Sequence, residues 1–311
     1  MYFVIFVVNS FWTMRIGIDL GGTKIELIAL DAEGRELTRF RQSTPAGDYH
    51  QSVAAIAAMV EQAESVLAAT GTVGIGTPGA VSLKSGLMRN CNSTCLNGRP
   101  LKADIEQLLG REVRMSNDAN CFALSEAVDG AGAGCDVVFG VILGTGVGGG
   151  IVVRESVLDG GNHIAGEWGH NPLPYPQSHE LPGPACYCGR SGCIETWLSG
   201  PGLSGDFLRL YGSDISAEQI VLQAQAGDRG CMHQLDVYCD RLARSLAGII
   251  NMLDPDVIVL GGGVSNIKQL YERVPETWGQ YVFSDQVRTR LLPPVHGDSS
   301  GVRGAAWLWG R

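Results

Sequence analysis

Apolar and polar residues alternate where the regular part of the chain begins, and this alternation predicts a half-buried β-strand. In the sequence RIGIDL, Ile16, Ile18 and Leu20 share one face, whereas Asp19 points to the other. A Gly-Gly turn follows, and the apolar sequence KIELIALD then resumes the strand-like pattern. The pattern therefore predicts two strands joined by a glycine turn, with Asp19 beside that turn.

Helical spacing and apolar runs follow one another through the first part of the chain. Segments 52–70 and 101–109 are spaced as helices, whereas TVGIGTPG and VRMS are apolar runs typical of buried strands. Asn117 and Asp118 stand between VRMS and the apolar sequence ANCFALSEAV, where a helix N-cap is expected. These segments predict an α/β domain in which a strand leads directly into a helix.

The order strand, glycine turn, strand recurs from Gly132. Here VVFGVIL predicts a buried strand, GTGVGGG a loop and IVVRESV a further strand, which indicates two similar halves. Segment 160–202 is rich in cysteine and proline, and it is long for a passive loop, which favours a function or a metal. Beyond it, the sequence predicts a helix over 236–253, a strand in DVIVLGGGVS and a terminal helix in GVRGAAWLW.

Composition and charge limit the class of protein. The 311 residues correspond to two domains of about 150 residues each. Glycine supplies 43 of them, roughly double its usual share of about 7%, which indicates tight turns or ligand loops. The net charge of −9, with no basic run, argues against binding to nucleic acid or an anionic membrane. Nine cysteines, an odd number, indicate reduced thiols and a cytoplasmic protein.

The first thirteen residues, MYFVIFVVNSFWT, are apolar but do not match a targeting signal. They carry no positive leading region and no small-residue cleavage site, and a bilayer span takes about 20 apolar residues. Because the regular pattern begins directly after Met14, we expect translation to start there. Residues 1–13 would then be an extension, and a signal-anchor is the alternative.

The glycine loops are the first candidates for ligand chemistry. The sequence GTGVGG at 144–149 matches G-x-G-x-x-G, but a strand follows it where a dinucleotide fingerprint needs a helix. A hairpin that presents backbone N–H groups to phosphate fits better, and the chain has no G-x-x-x-x-G-K-[ST] motif of a Walker ATPase. Any one loop could be only a tight hairpin, but three, at Gly21, Gly144 and Gly261, favour phosphate binding.

Two aspartates are candidates for catalysis and metal binding. Asp118, at a helix start, could accept a hydroxyl proton beside a phosphate site, although helix capping is the commoner role of such a residue. Asp19, beside a glycine loop, could hold Mg²⁺ directly or through its waters, and a turn-forming aspartate is the alternative.

The cysteine-rich segment carries the most specific local motif. Cys186, Cys188 and Cys193 lie close together around turn-forming glycines, and His170 lies upstream. Three thiolates and one imidazole form a closed tetrahedral site suited to structural zinc. Free buried cysteines or a disulfide are the alternatives.

Polar residues beside the proposed zinc ligands are candidates for binding a neutral, hydroxyl-rich ligand. Glu167 and Glu195 could accept hydrogen bonds from sugar hydroxyls, although isolated glutamates are usually solvated surface groups. Asn117 could add both a donor and an acceptor. The sequence therefore allows a sugar site organised by a metal-bound loop.

The motifs in combination resemble one family along the whole chain beyond Met14. DLGGTK, GTPGAV, NDAN, GTGVGGG, GEWGH, CYCGRSGCIE and DPDVIVLGGG resemble, in order, the ROK family of bacterial sugar kinases and related repressors. Within that family, NSTCLNG, NDANCFALSEAVDGA, GEWGHNPLPYP and HGDSSGVRGAAWLW look most like bacterial fructokinase, also described as manno(fructo)kinase.

The resemblance implies an α/β, two-lobed, actin-like ATPase (ribonuclease H-like) fold with the active site in the interdomain cleft. It implies a small lobe of residues 14–131 plus 298–311, to which the terminal helix returns. It implies a large lobe of residues 132–297 that carries the zinc-binding loop.

The resemblance also implies a role for each motif. Asp118 would be the base on the sugar hydroxyl, and His170 would direct one ring nitrogen to zinc and the other to the sugar. The residues implied to hold the sugar are Gly79, Asn117, Asp118, Glu167, His170 and Glu195. The residues implied to hold ATP and Mg²⁺ are Asp19, Gly21, Gly22, Thr23, Lys24, Gly144, Thr145, Gly146, Gly148, Gly149, Gly261, Gly262 and Gly263. The residues implied to hold Zn²⁺ are His170, Cys186, Cys188 and Cys193.

The implied reaction is transfer of the ATP γ-phosphoryl group to the 6-hydroxyl of a hexose. The resemblance favours fructose, with mannose or glucose as further acceptors, in a protein that is expected to be a homodimer. An N-acetylhexosamine or glucose kinase of the same family is the alternative. Two alternatives from other classes are a sugar-responsive transcriptional repressor, for which thirteen uncharged residues are too few to form a DNA-binding module, and a glycine-rich zinc protein without catalysis.

Overall fold

The structure, a computed structural model, describes residues 14–311, and the extension predicted over residues 1–13 lies outside them. The described chain forms two compact units. One ends at Asp118 and resumes at Gly301–Arg311, and the other spans Ala119–Ser300.

The first unit is built on a five-stranded mixed sheet. The strands of the unit are β1 (Arg15–Leu20), β2 (Lys24–Leu30), β3 (Glu36–Ser43), β4 (Thr72–Thr77), β5 (Ala80–Val81), β6 (Met88–Arg89) and β7 (Val113–Asn117). The helices of the unit before Asp118 are α1 (Tyr49–Leu67) and α2 (Leu101–Leu109). The sheet order is β3-β2-β1-β4-β7, with β5 and β6 paired separately. The hairpin strands β1, β2 and β3 are antiparallel, whereas β4 and β7 run parallel to β1.

The chain then leads through α3 (Asp118–Val128) into the second unit. Its strands are β8 (Val137–Leu143), β9 (Val147–Val153), β10 (Ser156–Val157), β11 (Val257–Gly261) and β12 (Arg290–Leu292). Its further helices are α4 (Glu195–Leu198), α5 (Gly200–Tyr211), α6 (Ala217–Gln225), α7 (Arg229–Leu253) and α8 (Leu270–Trp278), and α9 (Ser300–Trp307) ends the chain's regular structure. The sheet order β10-β9-β8-β11-β12 repeats the pairing directions of the first sheet, as the recurring sequence pattern predicts.

Each face of the first sheet has a different cover. The alternating residues Ile16, Ile18 and Leu20 belong to an apolar core with α1 and α2. On the opposite face lie the helical residues 302–306, and only glycine allows their close approach: a methyl group on Gly74 would lie 1.8 Å from Ala305 O. The terminal helix therefore completes the first unit.

Some predicted elements differ from those observed. The helix predicted over 52–70 spans Tyr49–Leu67, because Asp48 caps it and Ala68 ends it in the left-handed region, at φ 49°. The helix predicted over 236–253 begins at Arg229, after the cap Asp228. In GTGVGGG, strand β9 begins at Val147, so that only residues 144–146 form the turn.

Two observations concern the described chain as a whole. Among residues 14–311, no helix is long and apolar enough to cross a membrane. All nine cysteines lie in this range and carry free thiols. The domain bounds predicted from the sequence, 14–131 with 298–311 and 132–297, stay a prediction.

Candidate active site

The candidate catalytic residues of the first unit lie at the carboxyl edge of its sheet. Strands β1, β4 and β7 run parallel, and their register pairs Asp19 with Gly76 and Gly76 with Ser116. Asn117 is the last residue of β7, and Asp118 is the first residue of α3. The structure therefore brings Asp19, Asn117 and Asp118 to one edge, the edge at which α/β sheets bind ligands.

Asp19 lies in a region of negative potential. Burial raises the pKa of its carboxyl to about 6, and the negative charges of Asp118 and Glu26 act in the same direction, whereas Lys24 opposes them. A methyl group on Gly301, in the first turn of α9, would lie 3.7 Å from Asp19 Oδ2. A cation bound beside Asp19 would offset this repulsion, which is the condition that a Mg²⁺ site requires.

Lys24, which the sequence assigned to ATP, faces a buried carboxylate. Its Nζ lies 3.6 Å from Glu26 Oε2, and Glu26 is 1% exposed. Burial acts to raise the pKa of Glu26, but hydrogen bonds from Arg41 and Arg39 outweigh it, so that the pKa is lowered. Sequence reasoning missed this cluster of three cations because its members come from two different strands.

The turn between β1 and β2 leaves backbone accessible. Gly21 N donates to Lys24 O at 3.0 Å, and Thr44 Oγ1 donates to Gly21 O at 2.7 Å, which closes the turn. Gly22, Thr23 and Lys24 are exposed. A closed turn of exposed residues agrees with the phosphate loop that the sequence predicts there, and phosphate binding stays a prediction.

Gly79 follows β4 and packs against the segment 89–97. A methyl group on Gly79 would lie 2.5 Å from Cys91 Sγ, and one on Gly22 would lie 3.3 Å from Ser93 Oγ. The segment therefore lies beside both glycines. Sequence reasoning assigned no role to Ser93, since only the folded segment brings it to the turn.

The second unit carries the other glycine hairpin, between β8 and β9. Gly144 N donates to Gly146 O at 3.0 Å, and Thr145 at the tip is exposed. Glu195 Oε2 accepts a hydrogen bond from Val147 N at 2.9 Å, and a methyl group on Gly146 would lie 2.6 Å from the same oxygen. Glu195 thus fastens the start of α4 to the hairpin.

A short 3-10 helix, Trp168–His170, packs on β9 and carries Glu167 at its N-cap, where Glu167 is exposed. Trp168 Nε1 donates to Gly148 O at 2.9 Å, and a methyl group on Gly149 would lie 2.8 Å from Trp168 Cδ1. Both glycines lie inside β9, and packing accounts for the glycine at 149.

Four side chains form a cluster with the geometry of a zinc site. The ligand atoms of His170, Cys186, Cys188 and Cys193 all lie within 4.8 Å of one another. Cys188 Sγ lies 3.6 Å from Cys193 Sγ, and Cys186 Sγ lies 3.6 Å from His170 Nδ1. Tetrahedral zinc, with Zn–S of about 2.3 Å and Zn–N of about 2.0 Å, requires such separations of about 3.8 and 3.5 Å. The donor set therefore fits zinc.

Tight turns bring the three thiols together. Cys186 N donates to Arg190 O at 2.8 Å, and Gly189 and Gly192 adopt positive φ values of 87° and 70°. Hydrogen bonds from Arg190 lower the pKa of the Cys188 thiol to about 6. A thiol that ionises readily favours metal binding, because the thiolate is the ligand.

The second ring nitrogen of His170 has a partner that sequence reasoning missed. Tyr187 Oη lies 2.9 Å from His170 Nε2, and the two rings meet edge to face with centroids 5.1 Å apart. The resemblance implied one ring nitrogen on zinc and the other toward a sugar hydroxyl, and since Nδ1 faces Cys186, that other nitrogen is Nε2. Tyr187 stands between two proposed zinc ligands, and that position was the available signal.

Packing explains two of the three glycines at the end of β11. A methyl group on Gly261 would lie 2.5 Å from Phe122 Cε2, and one on Gly262 would lie 2.5 Å from Leu143 O, at a φ of 82°. Gly263 has open space around its Cβ position. The expected contact of these glycines with adenosine stays a prediction.

A buried ionic cluster holds the segment that connects His170 to the three clustered cysteines. Glu180 is 3% exposed and accepts hydrogen bonds from Arg241 and Arg244, both on α7. Arg244 also donates to Tyr175 O at 2.7 Å, and Arg241 also binds Asp206 of α5. These partners lie far apart in sequence, so no local pattern could have predicted them.

The chain matches one family over nearly its whole length. A family model described as the ROK family matches residues 15–311. N-acetyl-D-glucosamine kinases of Yersinia pseudotuberculosis and Vibrio cholerae are each 39% identical over 299 residues, which cover 95% of this chain and 98% and 99% of theirs. The sequence motifs favoured fructokinase within the family, whereas these relatives are N-acetyl-D-glucosamine kinases.

Solved structures confirm the fold. The ROK hexokinase of Thermus thermophilus matches with a TM-score of 0.84 at 31% identity, covering 95% of this chain and 97% of that chain. A ROK family glucokinase from Streptomyces griseus, in complex with glucose and AMPPNP, matches with a TM-score of 0.73 at 30% identity, covering 95% and 98%. The predicted α/β, actin-like (ribonuclease H-like) fold is therefore confirmed.

Proposed function

The chain belongs to the ROK family and is a sugar kinase, and from that premise we propose that it transfers the γ-phosphoryl group of ATP to the 6-hydroxyl of a hexose. The observation that carries the proposal is the carboxyl edge of the first sheet. There Asp118 begins α3 beside Asp19, whose pKa of about 6 reflects burial and the neighbouring negative charge.

Asp118 is the general base of the proposed reaction. It accepts the proton of the 6-hydroxyl while the oxygen forms a bond to the γ-phosphorus, and the bond from that phosphorus to the β-γ bridging oxygen breaks to release ADP. Asp19 and the Gly21 turn hold the phosphates and Mg²⁺, which would stabilise negative charge on the transferring group. The glycine turn at 144–146 and Gly261 to Gly263 complete nucleotide binding.

The sugar is held by Gly79, Asn117, Glu167, His170 and Glu195. Zinc bound by His170 and the three cysteines is structural, since four protein ligands leave no open position. It orients the imidazole of His170, because a metal-bound ring has a fixed tautomer. Cytoplasmic location and a homodimer stay predictions.

N-acetyl-D-glucosamine is the acceptor that the relatives support, and we propose it first. Fructose is the second candidate, because NSTCLNG, GEWGHNPLPYP and the other motifs named above resemble fructokinase. The two sugars differ at carbons 1 and 2, because N-acetyl-D-glucosamine is an aldose with an acetamido group at carbon 2 and fructose is a ketose, so the residues that contact these carbons would separate them.

The test is a coupled assay of ADP release with ATP and a panel of N-acetyl-D-glucosamine, fructose, glucose and mannose. We expect sugar-dependent ADP release, with the highest kcat/KM for N-acetyl-D-glucosamine. A highest value for fructose would restore the fructokinase prediction. If none of the four sugars caused ADP release, the proposed hexose substrates would be contradicted.

A further inference from the structure

Tyr187 occupies an unusual position for an aromatic side chain. It lies between Cys186 and Cys188 and is 84% exposed, and its ring meets that of His170 edge to face. Its Oη lies 2.9 Å from His170 Nε2, at hydrogen-bond distance. A large exposed aromatic group held by one hydrogen bond and one ring contact can leave its position at small cost.

The hydroxyl of Tyr187 lies among the residues proposed to bind the sugar. Its Oη contacts His170 Nε2, and the carboxylates of Glu195 and Glu167 lie close enough to act on the phenol electrostatically. Two of those groups, Glu167 and Glu195, are proposed sugar ligands, and His170 is the third. The phenol therefore lies where hydroxyl groups of a sugar are expected.

The chemistry of His170 Nε2 allows only one such partner at a time. Nδ1 faces the thiol of Cys186 at 3.6 Å, so Nε2 carries the ring hydrogen when Nδ1 binds a metal. One N–H donates one good hydrogen bond, and either a phenol oxygen or a sugar hydroxyl oxygen can accept it. The two groups therefore compete.

We propose that Tyr187 is a specificity-determining residue whose hydroxyl occupies His170 Nε2 and must be displaced by a hydroxyl of the acceptor sugar. The inference rests on the proposed function and deepens it, since it names a residue that sets sugar affinity without taking part in phosphoryl transfer. A sugar that cannot reach Nε2 leaves the contact between Tyr187 and His170 intact and gains no binding energy from Nε2.

The test compares sugar affinity in zinc-loaded wild type, Tyr187→Phe and Tyr187→Leu, with Tyr211→Phe as the control. Tyr211 lies in α5, where its ring packs on Phe207. Calorimetry without nucleotide gives Kd for the preferred hexose, and the ADP assay gives KM and kcat. We expect both Tyr187 variants to lower Kd and KM about two- to tenfold with kcat unchanged, the range that one hydrogen bond between neutral groups allows. Tyr211→Phe should change neither constant.

The outcomes separate this inference from the proposed function. Equal or weaker binding by the Tyr187 variants, at zinc contents equal to that of wild type, would overturn the competition while the kinase assignment stands. Absence of binding by every hexose to wild type would overturn the proposed function, and this inference with it.

Discussion

Two aspartates at the carboxyl edge of the first sheet carry like charges that repel each other. Asp118 is exposed at the start of α3, whereas Asp19 is half-buried in β1. Burial and the charge of Asp118 raise the pKa of Asp19 to about 6. The two residues therefore suit different tasks, Asp118 as a base open to substrate and Asp19 as a carboxylate that is stabilised by a cation.

Asp118→Asn should remove the base but keep the hydrogen-bonding geometry. We expect kcat to fall by about 10²–10⁴, the usual contribution of a general base, while sugar Kd changes little. The coupled assay and calorimetry measure both quantities. Asp136→Asn, at an exposed position before β8, is the control. Near-normal kcat in Asp118→Asn would remove Asp118 from the mechanism.

Asp19→Asn should stabilise the protein in a pH-dependent way. Because the folded pKa is raised from 3.8 to about 6, the protonated carboxyl favours folding below pH 4, and this contribution is lost as pH rises through 6. The variant should therefore gain stability at pH 7 but not at pH 4, by at most about 3 kcal/mol. Thermal unfolding without metal at the two pH values measures the difference. An equal effect at both would contradict the assigned cause.

At the scale of elements, we expect the segment that carries the proposed zinc ligands to depend on both the metal and the ionic cluster of Glu180. Cys188→Ser should lose zinc and sugar binding together, since His170 belongs to the same cluster. Zinc content and calorimetry test this, with Cys135→Ser, outside the cluster, as the control. Sugar binding retained in protein verified as zinc-free would separate the two functions.

The ionic cluster of Glu180 should show an acid limit to stability. Burial acts to raise the pKa of Glu180, but hydrogen bonds from Arg244 and Arg241 lower it to about 2. The carboxylate therefore stabilises the fold above about pH 4.5, and this contribution is lost as pH falls through 2. Glu180→Gln should destabilise the protein by about 1.5–3 kcal/mol at pH 7, because two buried guanidinium groups lose a shared counter-charge and keep only those of Asp206 and Asp240. Thermal unfolding measures this, and exposed Glu276→Gln should have little effect. A small loss in Glu180→Gln would contradict this role of the ionic cluster.

The accuracy of the sequence prediction follows the range of the interactions involved. Alternation in RIGIDL predicted β1, because successive side chains of a strand point to opposite faces and this pattern is visible within a few residues. The glycines of β9 were assigned to a loop, because the contact of Gly149 with Trp168 is not visible in a local pattern. The cluster of His170 with three cysteines was predicted because the cysteines lie close together in sequence, whereas the partners of Glu180 and of Glu26 arise only from folding, and zinc in the cluster stays a prediction.

At the scale of the whole molecule, the two sheets have the same pattern of strands. Glycines in the first sheet allow the terminal helix to cover one of its faces. Gly17 and Gly74 both face residues of α9 at distances that exclude a methyl group. Residues 301–311 are therefore an integral part of the first unit, although they lie at the far end of the chain from its strands.

Gly74→Ala should show whether the close approach of α9 requires glycine, as distinct from the general effect of glycine on the entropy of the unfolded chain. A methyl group there meets Ala305 O at 1.8 Å, so we expect destabilisation of about 1–3 kcal/mol or more by overpacking. Gly205→Ala, inside α5 with open space around its Cβ position, should instead stabilise by about 0.5–1 kcal/mol. Thermal unfolding compares the signs. Stabilisation in both variants would contradict the close approach of α9.

The position of α9 also sets an order of events during protein synthesis. The face of the first sheet over Gly17 and Gly74 stays uncovered until residues 301–311 have left the ribosome. The second unit, Ala119–Ser300, has all its residues before that moment. The part of the chain that is made first is therefore the last to be finished, and its uncovered face is a surface that a nascent chain must protect from aggregation.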